Sequence, residues 1–323
     1  MEQSKINNSI AVVIPCYRVK DAILKVIAAI GAEVTQIIVV DDCCPEKSGK
    51  FVEENCQDQR VHVVYHQKNK GVGGAVKTGY QKALELNAQI VVKLDGDGQM
   101  DPKLIPDLVA SIVFGQADYS KGNRFFNLGS LKQMPLVRLF GNSALSFVSK
   151  VASGYWNLMD PTNGFTAIHS YALRQLPLDK IEDRYFFESD MLFRLNTVRA
   201  VVREFPMVAV YDGENSSLDP FKIFCSFPSK YIERFYKRIF YNYFLRDFNI
   251  CSLNIIMGGA LFLFGVIYGA INWYLGSSSN SFMPTGTIMI AALSIILGFQ
   301  MLLAAVAYDV SNVPRDPLQE FSR

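Results

Sequence analysis

Two aspartates separated by one glycine close an apolar run, Ile90-Val91-Val92-Lys93-Leu94-Asp95-Gly96-Asp97-Gly98-Gln99. A buried strand that ends here delivers two carboxylates to its C-terminal edge, where open α/β sheets bind their ligands. Strand faces alternate, so Asp95 and Asp97 project the same way unless the turn has begun. Converging carboxylates repel unless a cation sits between them. A hard divalent ion, Mg2+ or Mn2+, suits one or two carboxylates completed by substrate phosphates. Gly96 and Gly98 let a bulky phosphate group approach the backbone. An acidic turn after a strand is the plain alternative, because Asp and Gly are ordinary turn residues. The surrounding chain has to decide between them.

The elements that would position this pair read as alternating strands and helices. A β-branched run at residues 10–14 is closed by Pro15, and a mixed helical pattern follows at 21–30. A second strand, 36–40, ends in Asp41-Asp42, and a third covers 61–65. Lys70-Gly71-Val72-Gly73-Gly74-Ala75 is a glycine-rich turn opening a helix to about residue 86. It matches neither common phosphate-loop pattern, so phosphate binding at Gly73 and close helix–strand packing both stand as readings. Pro102 starts a further helix, where its missing N–H costs nothing. A fifth strand at 117–120 leads into Gly122-Asn123-Arg124. Such alternation predicts an α/β, Rossmann-like domain with a mostly parallel, doubly wound sheet. Asp41-Asp42 caps the next segment or, as a second acidic strand end on the same edge, belongs to a site.

Beyond residue 135 an amphipathic helix at 136–151 carries Arg138 in its first turns, and a polar turn, Asp160-Pro161-Thr162-Asn163-Gly164-Phe165, leads into a strand. Glu188 and Asp190 lie in an aromatic-apolar helix at 185–195, where solvated or capping carboxylates are the ordinary expectation. Residues 201–210 read as two short strands broken by Pro206.

Net charge is +2 over 323 residues, so no general attraction to nucleic acid follows. Six cysteines show no metal-ligand spacing and read as reduced cytosolic thiols. Residues 1–5 lack the apolar core of a signal peptide, which predicts a cytoplasmic catalytic part. Residues 220–248 are dense in aromatic and basic side chains, the composition of amphipathic helices lying in a lipid interface. Nucleic-acid binding is the rival for such a mixture, but two apolar runs follow at once, at 251–275 and 286–308. Each spans the roughly 30 Å hydrocarbon layer of a bilayer at about 1.5 Å per helical residue. Basic residues precede the first run and follow the second, which predicts a two-helix transmembrane hairpin with both termini cytoplasmic. Gly258, Gly259, Gly265 and Gly269 would let these helices pack against partners, which leaves a homo-oligomer open. The predicted organisation is a catalytic domain at 1–212, juxtamembrane helices at 213–249, two spans within 250–309 and a cytoplasmic tail at 310–323.

Val12-Val13-Ile14-Pro15-Cys16-Tyr17, Val39-Val40-Asp41-Asp42 and Asp95-Gly96-Asp97-Gly98-Gln99, in this order, resemble family 2 glycosyltransferases with the GT-A nucleotide-sugar-binding fold. Gly122-Asn123-Arg124 and the 160–165 turn are similar to those of polyprenyl-phosphate glycosyltransferases, relatives of dolichol-phosphate mannose synthase. The two-span tail is most similar to bacterial bactoprenol glucosyltransferases. The resemblance implies that Pro15, Tyr17 and Asp42 hold the nucleoside, and that Asp95, Asp97 and Gln99 hold the metal and donor diphosphate, with Gly73 and Gly96 beside it. It implies that Arg124 meets phosphate groups, that Arg138 meets the acceptor phosphate, and that Asp160 lines the acceptor pocket. The implied reaction is inverting transfer of a hexose, glucose from UDP-glucose first, to undecaprenyl phosphate at the inner or plasma membrane. GDP-mannose is the alternative donor, and a flippase and a downstream transferase are the implied partners. One departure stands out: the R-x-x-G-x-S-K stretch of related enzymes is matched by residues 211–217, which hold no Arg or Lys. Lys222, Lys230 or a second chain is the expected substitute.

Two rival readings remain. A processive polysaccharide synthase would carry Q-x-x-R-W, which is absent, and more than two spans. A non-catalytic, membrane-anchored nucleotide-sugar scaffold would not need an intact Asp95/Asp97 pair.

Overall fold

The structure, a computed structural model, describes residues 9–126, 136–207, 220–279 and 281–322. Its strands are β1 (Ile10–Cys16), β2 (Val34–Asp41), β3 (Val61–Tyr65), β4 (Ile90–Lys93), β5 (Tyr119–Asn123), β6 (Thr166–His169) and β7 (Val202–Pro206). They form one sheet in the order β3-β2-β1-β4-β6-β5-β7. All pairings are parallel except those of β6, which runs against both β4 and β5. The helices are α1 (Ile23–Ala28), α2 (Ser48–Asn55), α3 (Val72–Glu85), α4 (Ile105–Val113), α5 (Leu136–Ser153), α6 (Ser170–Arg174), α7 (Phe187–Thr197), α8 (Pro220–Phe240), α9 (Ile250–Ser279) and α10 (Thr285–Ser311).

The strands are apolar on both faces because both faces are covered. Val12, Ile14, Val39 and Val92 pack with Ile23 and Ile27 of α1 and Ile105 and Leu108 of α4. Val13 points the other way, against α3 at Gly79, where a side chain would collide with it. Each fully buried Val or Ile contributes about 1.5–3 kcal/mol, and continuous apolar runs are what doubly covered parallel strands require.

Two expectations need correction. The fifth strand begins at Tyr119, not at residue 117. Just before it, the Asp118 carboxylate accepts three backbone N–H groups, from Val201 (2.8 Å), Leu318 (2.9 Å) and Gln319 (3.0 Å). Of the two short strands expected around Pro206, the first is β7, which Pro206 closes. It ends β7 opposite Asn123, on the outer edge of the sheet where a missing N–H costs no ladder bond; residues 208–210 lie outside the described ones. Pro102 opens a single 3-10 turn, Pro102–Leu104, capped by the Asp101 carboxylate on the Lys103 N–H, before α4 proper begins.

The chain divides into two compact units, one of residues 1–235 with 314–323 and one of residues 236–313. In the first, the early part of α8 is fastened by ion pairs: Lys230 to Glu182 (2.8 Å) and Arg234 to Asp190 (2.6 Å), with Tyr231 bonded to Ser189 (2.8 Å). These bases serve the fold, which corrects their reading as lipid-facing; Lys230 is already engaged, and the side chain of Lys222 lies outside the described residues. In the second unit, Arg238 is buried against Asp309 (Nη2–Oδ2 2.9 Å), which also accepts the Tyr243 hydroxyl (2.6 Å).

Helices α9 and α10 are both long and apolar enough to cross a membrane. They pair antiparallel: Gly258 faces Gly298 and Met301, and Gly265 faces Ala291 and Ile295. These glycines therefore pack the hairpin against itself, a correction to their reading as sites for partners. Gly259 faces open space. Leu263, Ile267, Ile288, Leu297 and Leu303 are exposed, a large apolar surface of the kind that lipid covers.

Candidate active site

The register of three strands assembles the site. Lys93, at the C-terminal end of β4, pairs with Thr166 at the start of β6, and Thr166 pairs with Lys121 near the end of β5. Asp95, the 160–164 turn and Arg124 therefore emerge at one sheet edge. Gly164 shows how close they come: a side chain there would strike the Lys93 ammonium and the Asp95 carboxylate.

Asp95 is not left to itself. Lys93 Nζ lies 3.0 Å from Asp95 Oδ1 and 3.3 Å from Glu188 Oε1 of α7. Burial alone would pull this ammonium down, but the two carboxylates hold it above the ordinary lysine value. Asp97 is fixed by its own turn, with the Gln99 N–H donating to Asp97 Oδ1 (3.0 Å). Gly98 completes that turn at φ +83°, a conformation that side-chain-bearing residues rarely adopt. Gly96 is buried against Ile14, Val19 and Ile23.

Donor atoms at this edge are hard oxygens, from Asp95, Asp97 and the exposed Gln99 amide. Among the described residues no group of three or more His, Cys, Asp or Glu could hold a metal. The set fits a Mg2+-like ion that takes one or two protein oxygens and completes its shell with diphosphate and water.

On the other side of Gly164, Arg124 grips Asp160 at two points, Nε–Oδ2 at 2.8 Å and Nη2–Oδ1 at 2.9 Å, and its backbone N–H adds a third contact at 3.1 Å. Asp160 is fully buried. Burial works against its ionisation, but the Arg124 hydrogen bonds and charge, with Lys121 behind, hold its carboxyl below the usual range. Lys121 is buried as well, which pushes its ammonium down to about 8 although Asp160, Glu204 and Glu188 pull the other way. Glu204 of β7 accepts the backbone N–H groups of Met159 (2.7 Å) and Asp160 (2.8 Å) and the Asn123 side-chain amide (2.7 Å). Burial raises its pKa, and those two backbone donors act against the rise.

The proposed nucleoside residues sit on the same edge. Tyr17, after β1, is exposed beneath the Arg18 guanidinium (5.5 Å), and Pro15 stands opposite Val40. Asp42 is already engaged: its oxygens accept the N–H groups of Lys70 (2.8 Å) and Gly71 (2.7 Å), and His66 bridges it (2.7 Å) to Thr78 (2.8 Å). Asp41 likewise holds the Cys44 and Gly49 N–H groups at 2.7 Å each. Both carboxylates thus anchor loops, the reading that sequence offered as an alternative. At Gly73 a side chain would meet the Glu182 carbonyl and Phe187, so this glycine lets α3 pack closely. Arg138 lies in the first turn of α5, and its side chain lies outside the described residues, as does the 211–217 stretch.

Sequence reading missed Lys93, Lys121, Glu188 and Glu204. Glu188 is a correction: its carboxylate faces the buried Lys93 ammonium at 3.3 Å, not solvent. A lysine inside each of two buried strands is the signal that was available.

A sequence model of glycosyl transferase family 2 matches residues 11–176, just over half of the chain. The chain belongs to glycosyl transferase family 2. Among its relatives is a UDP-N-acetylglucosamine–dolichyl-phosphate N-acetylglucosaminyltransferase of Methanococcus voltae, 31% identical over 62% of this chain and 86% of the relative. Another is an undecaprenyl-phosphate mannosyltransferase of Micrococcus luteus, 31% identical over 54% of this chain and 72% of the relative. Glucosyl-3-phosphoglycerate synthase from Mycobacterium tuberculosis, solved with Mn2+, UDP and glucosyl-3-phosphoglycerate, superposes with a TM-score of 0.53 at 18% identity, covering 72% of this chain and 80% of that one. Its likeness places the family 2 chain in the GT-A fold.

Proposed function

We propose that this family 2 chain transfers a sugar from a nucleoside diphosphate sugar to the phosphate of a membrane polyprenyl phosphate. The observation that carries this reading is the shared sheet edge: an acidic pair at Asp95/Asp97 beside the partly exposed Arg124 paired to the buried Asp160, in a chain with two helices fit to cross a bilayer. The names of the two relatives, both transferases acting on polyprenyl-type phosphates, support the acceptor.

In this reading a lipid phosphate oxygen forms a bond to the anomeric carbon while the bond from that carbon to the diphosphate breaks, with inversion. The acceptor phosphate is already an oxyanion at neutral pH and needs no general base. Arg124, with its Nε–Nη2 edge held by Asp160, turns the rest of its partly exposed guanidinium to that phosphate, and Arg138 is assigned to the same phosphate. Asp160 lines the acceptor pocket and keeps Arg124 oriented. Lys93 holds Asp95 in place, while Asp97 and Gln99 face the donor diphosphate. Asp97 and Gln99, beside Asp95, would hold a divalent ion, which would supply Lewis-acid stabilisation of charge on the departing diphosphate. Pro15, Tyr17 and the loop anchored by Asp42 receive the nucleoside.

Residues 314–323 belong to the same unit as the sheet. In this reading two crossings bring the chain back, after α10, to the side it left. The basic residues flanking the helices assign that side to the cytoplasm.

The donor is assigned as UDP-glucose from the resemblance to bactoprenol enzymes. The relatives named for N-acetylglucosamine and mannose define the panel that tests it. Membranes containing the protein are incubated with undecaprenyl phosphate and, in turn, labelled UDP-glucose, UDP-N-acetylglucosamine and GDP-mannose. Label in the organic phase from UDP-glucose above the others supports the assignment. Preference for GDP-mannose overturns the donor, and donor binding without any transfer overturns the enzyme in favour of a scaffold.

A further inference from the structure

A carboxylate given no part in the transfer stands behind the Arg124–Asp160 pair. Glu204 lies on β7 directly across from Lys121 of β5. One of its oxygens, Oε1, accepts two successive backbone N–H groups, from Met159 at 2.7 Å and Asp160 at 2.8 Å. The other, Oε2, accepts the Asn123 side-chain amide at 2.7 Å. Asn123 in turn accepts the Phe125 N–H on its Oδ1 at 2.8 Å, so its side chain clamps the main chain on either side of Arg124. Asp160 and Arg124 come from different connections of the sheet, and a single carboxylate sets the backbone of both.

We propose that Glu204 is the positioning residue of the transfer site: it fixes the main chain of Asp160 directly and that of Arg124 through Asn123, at the spacing their two-point pair requires. This rests on the transfer reading for its kinetic consequence, but not for its geometric one. Glu204 acts through other residues and touches no substrate. An ionised acceptor suits the task because it takes three donors at once, each strengthened by the charge. Glutamine keeps one oxygen for Met159 and Asp160 but turns an NH2 group toward the Asn123 NH2, donor against donor. Aspartate at 123 reverses that polarity and still accepts from Phe125, so the exchanged pair Glu204→Gln/Asn123→Asp restores every bond.

The experiment uses the full-length protein in detergent. Initial rates are measured against donor and acceptor concentration for the wild type, Glu204→Gln, Asn123→Asp and the exchanged pair. Each single variant is expected to lower kcat about 100-fold, the effect of a misplacement near 1 Å, with the donor KM changed by less than about twofold, and the exchanged pair to recover most of the rate. A near-normal kcat in Glu204→Gln overturns the proposal, as does an exchanged pair that regains wild-type thermal stability without regaining rate. A second measurement needs no activity. Melting temperatures are taken for Arg124→Met, Asp160→Asn and the double variant, in the wild-type and Glu204→Gln backgrounds. Non-additive shifts in the first background and additive ones in the second are expected; persistent coupling in the second overturns the assignment. A wild type that transfers no sugar to polyprenyl phosphate defeats the transfer reading alone, and the melting cycle still decides the role of Glu204.

Discussion

Arg124 and Asp160 form a two-point ion pair, 2.8 and 2.9 Å, in which the carboxylate is fully buried and the arginine side chain is about a third exposed. A partly exposed cation held by a buried carboxylate is placed to meet an anion that reaches the edge. Arg124→Lys keeps the charge but loses the planar fork. Transfer is expected to fall about 100-fold, mostly in the acceptor-dependent kcat/KM, with donor binding by titration calorimetry unchanged. Equal losses in donor and acceptor parameters would assign Arg124 to the donor instead.

Lys93 sets up a different expectation. Lys93→Met leaves Asp95 and Glu188 facing each other without their shared cation. Removing one partner of a buried pair costs about 3–5 kcal/mol; Asp95 is 29% exposed on its side chain, so about 2 kcal/mol is expected here. Thermal unfolding should report that loss, and donor affinity should fall with it. An unchanged melting temperature with normal donor affinity would remove Lys93 from the site.

The Lys121 ammonium, pushed down to about 8 by burial, gives a pH dependence. Asp160, Glu204 and Glu188 face it as anions and Arg124 as a cation. As pH rises through about 8 the folded protein loses this charge, and Asp160 loses one of the cations that keep it ionised. The transfer rate should fall above that pH, and Lys121→Met should have a lower rate without the alkaline fall. Stability moves the opposite way. Between about 8 and the ordinary value of 10.5 the unfolded chain holds a proton that the folded one has released, so this group makes the fold more stable as pH rises. Rates and melting temperatures measured together from pH 7 to 10 should diverge; an alkaline limb retained in Lys121→Met would contradict the assignment.

Asp118 is fully buried and accepts N–H groups from Val201 and from Leu318 and Gln319 of the C-terminal segment. The Gln319 amide adds bonds to the Ile112 (3.2 Å) and Ala117 (2.6 Å) carbonyls. Ending the chain at residue 313 should strand that carboxylate and lower the melting temperature of the sheet-containing unit by several degrees, about 2 kcal/mol. Gln319→Ala should cost about 1 kcal/mol. A truncated protein as stable as the full one would show that the segment does not brace β5.

The sheet edge is legible from sequence where a carboxylate follows an apolar run directly. Asp95, Asp97 and the Asp41-Asp42 step are of this kind, and the α/β class follows from the same alternation. Glu188 and Glu204 are not legible, because their importance depends on the antiparallel β6. That strand brings the 160–164 turn between β4 and β5 and so gathers residues nearly a hundred positions apart. Period and composition carry no information on such a crossing. The basic stretch before α9 misleads for a related reason: composition shows that Lys230, Arg234 and Arg238 are cations but not that Glu182, Asp190 and Asp309 wait for them.

The most direct test of the account is the initial rate at which the purified protein forms lipid-linked sugar. It is measured with polyprenyl phosphate or its dephosphorylated alcohol, and with divalent metal or chelator. The account predicts product only with the phosphorylated lipid and metal together; equal rates in chelator, or transfer to the alcohol or to water-soluble acceptors alone, would contradict it.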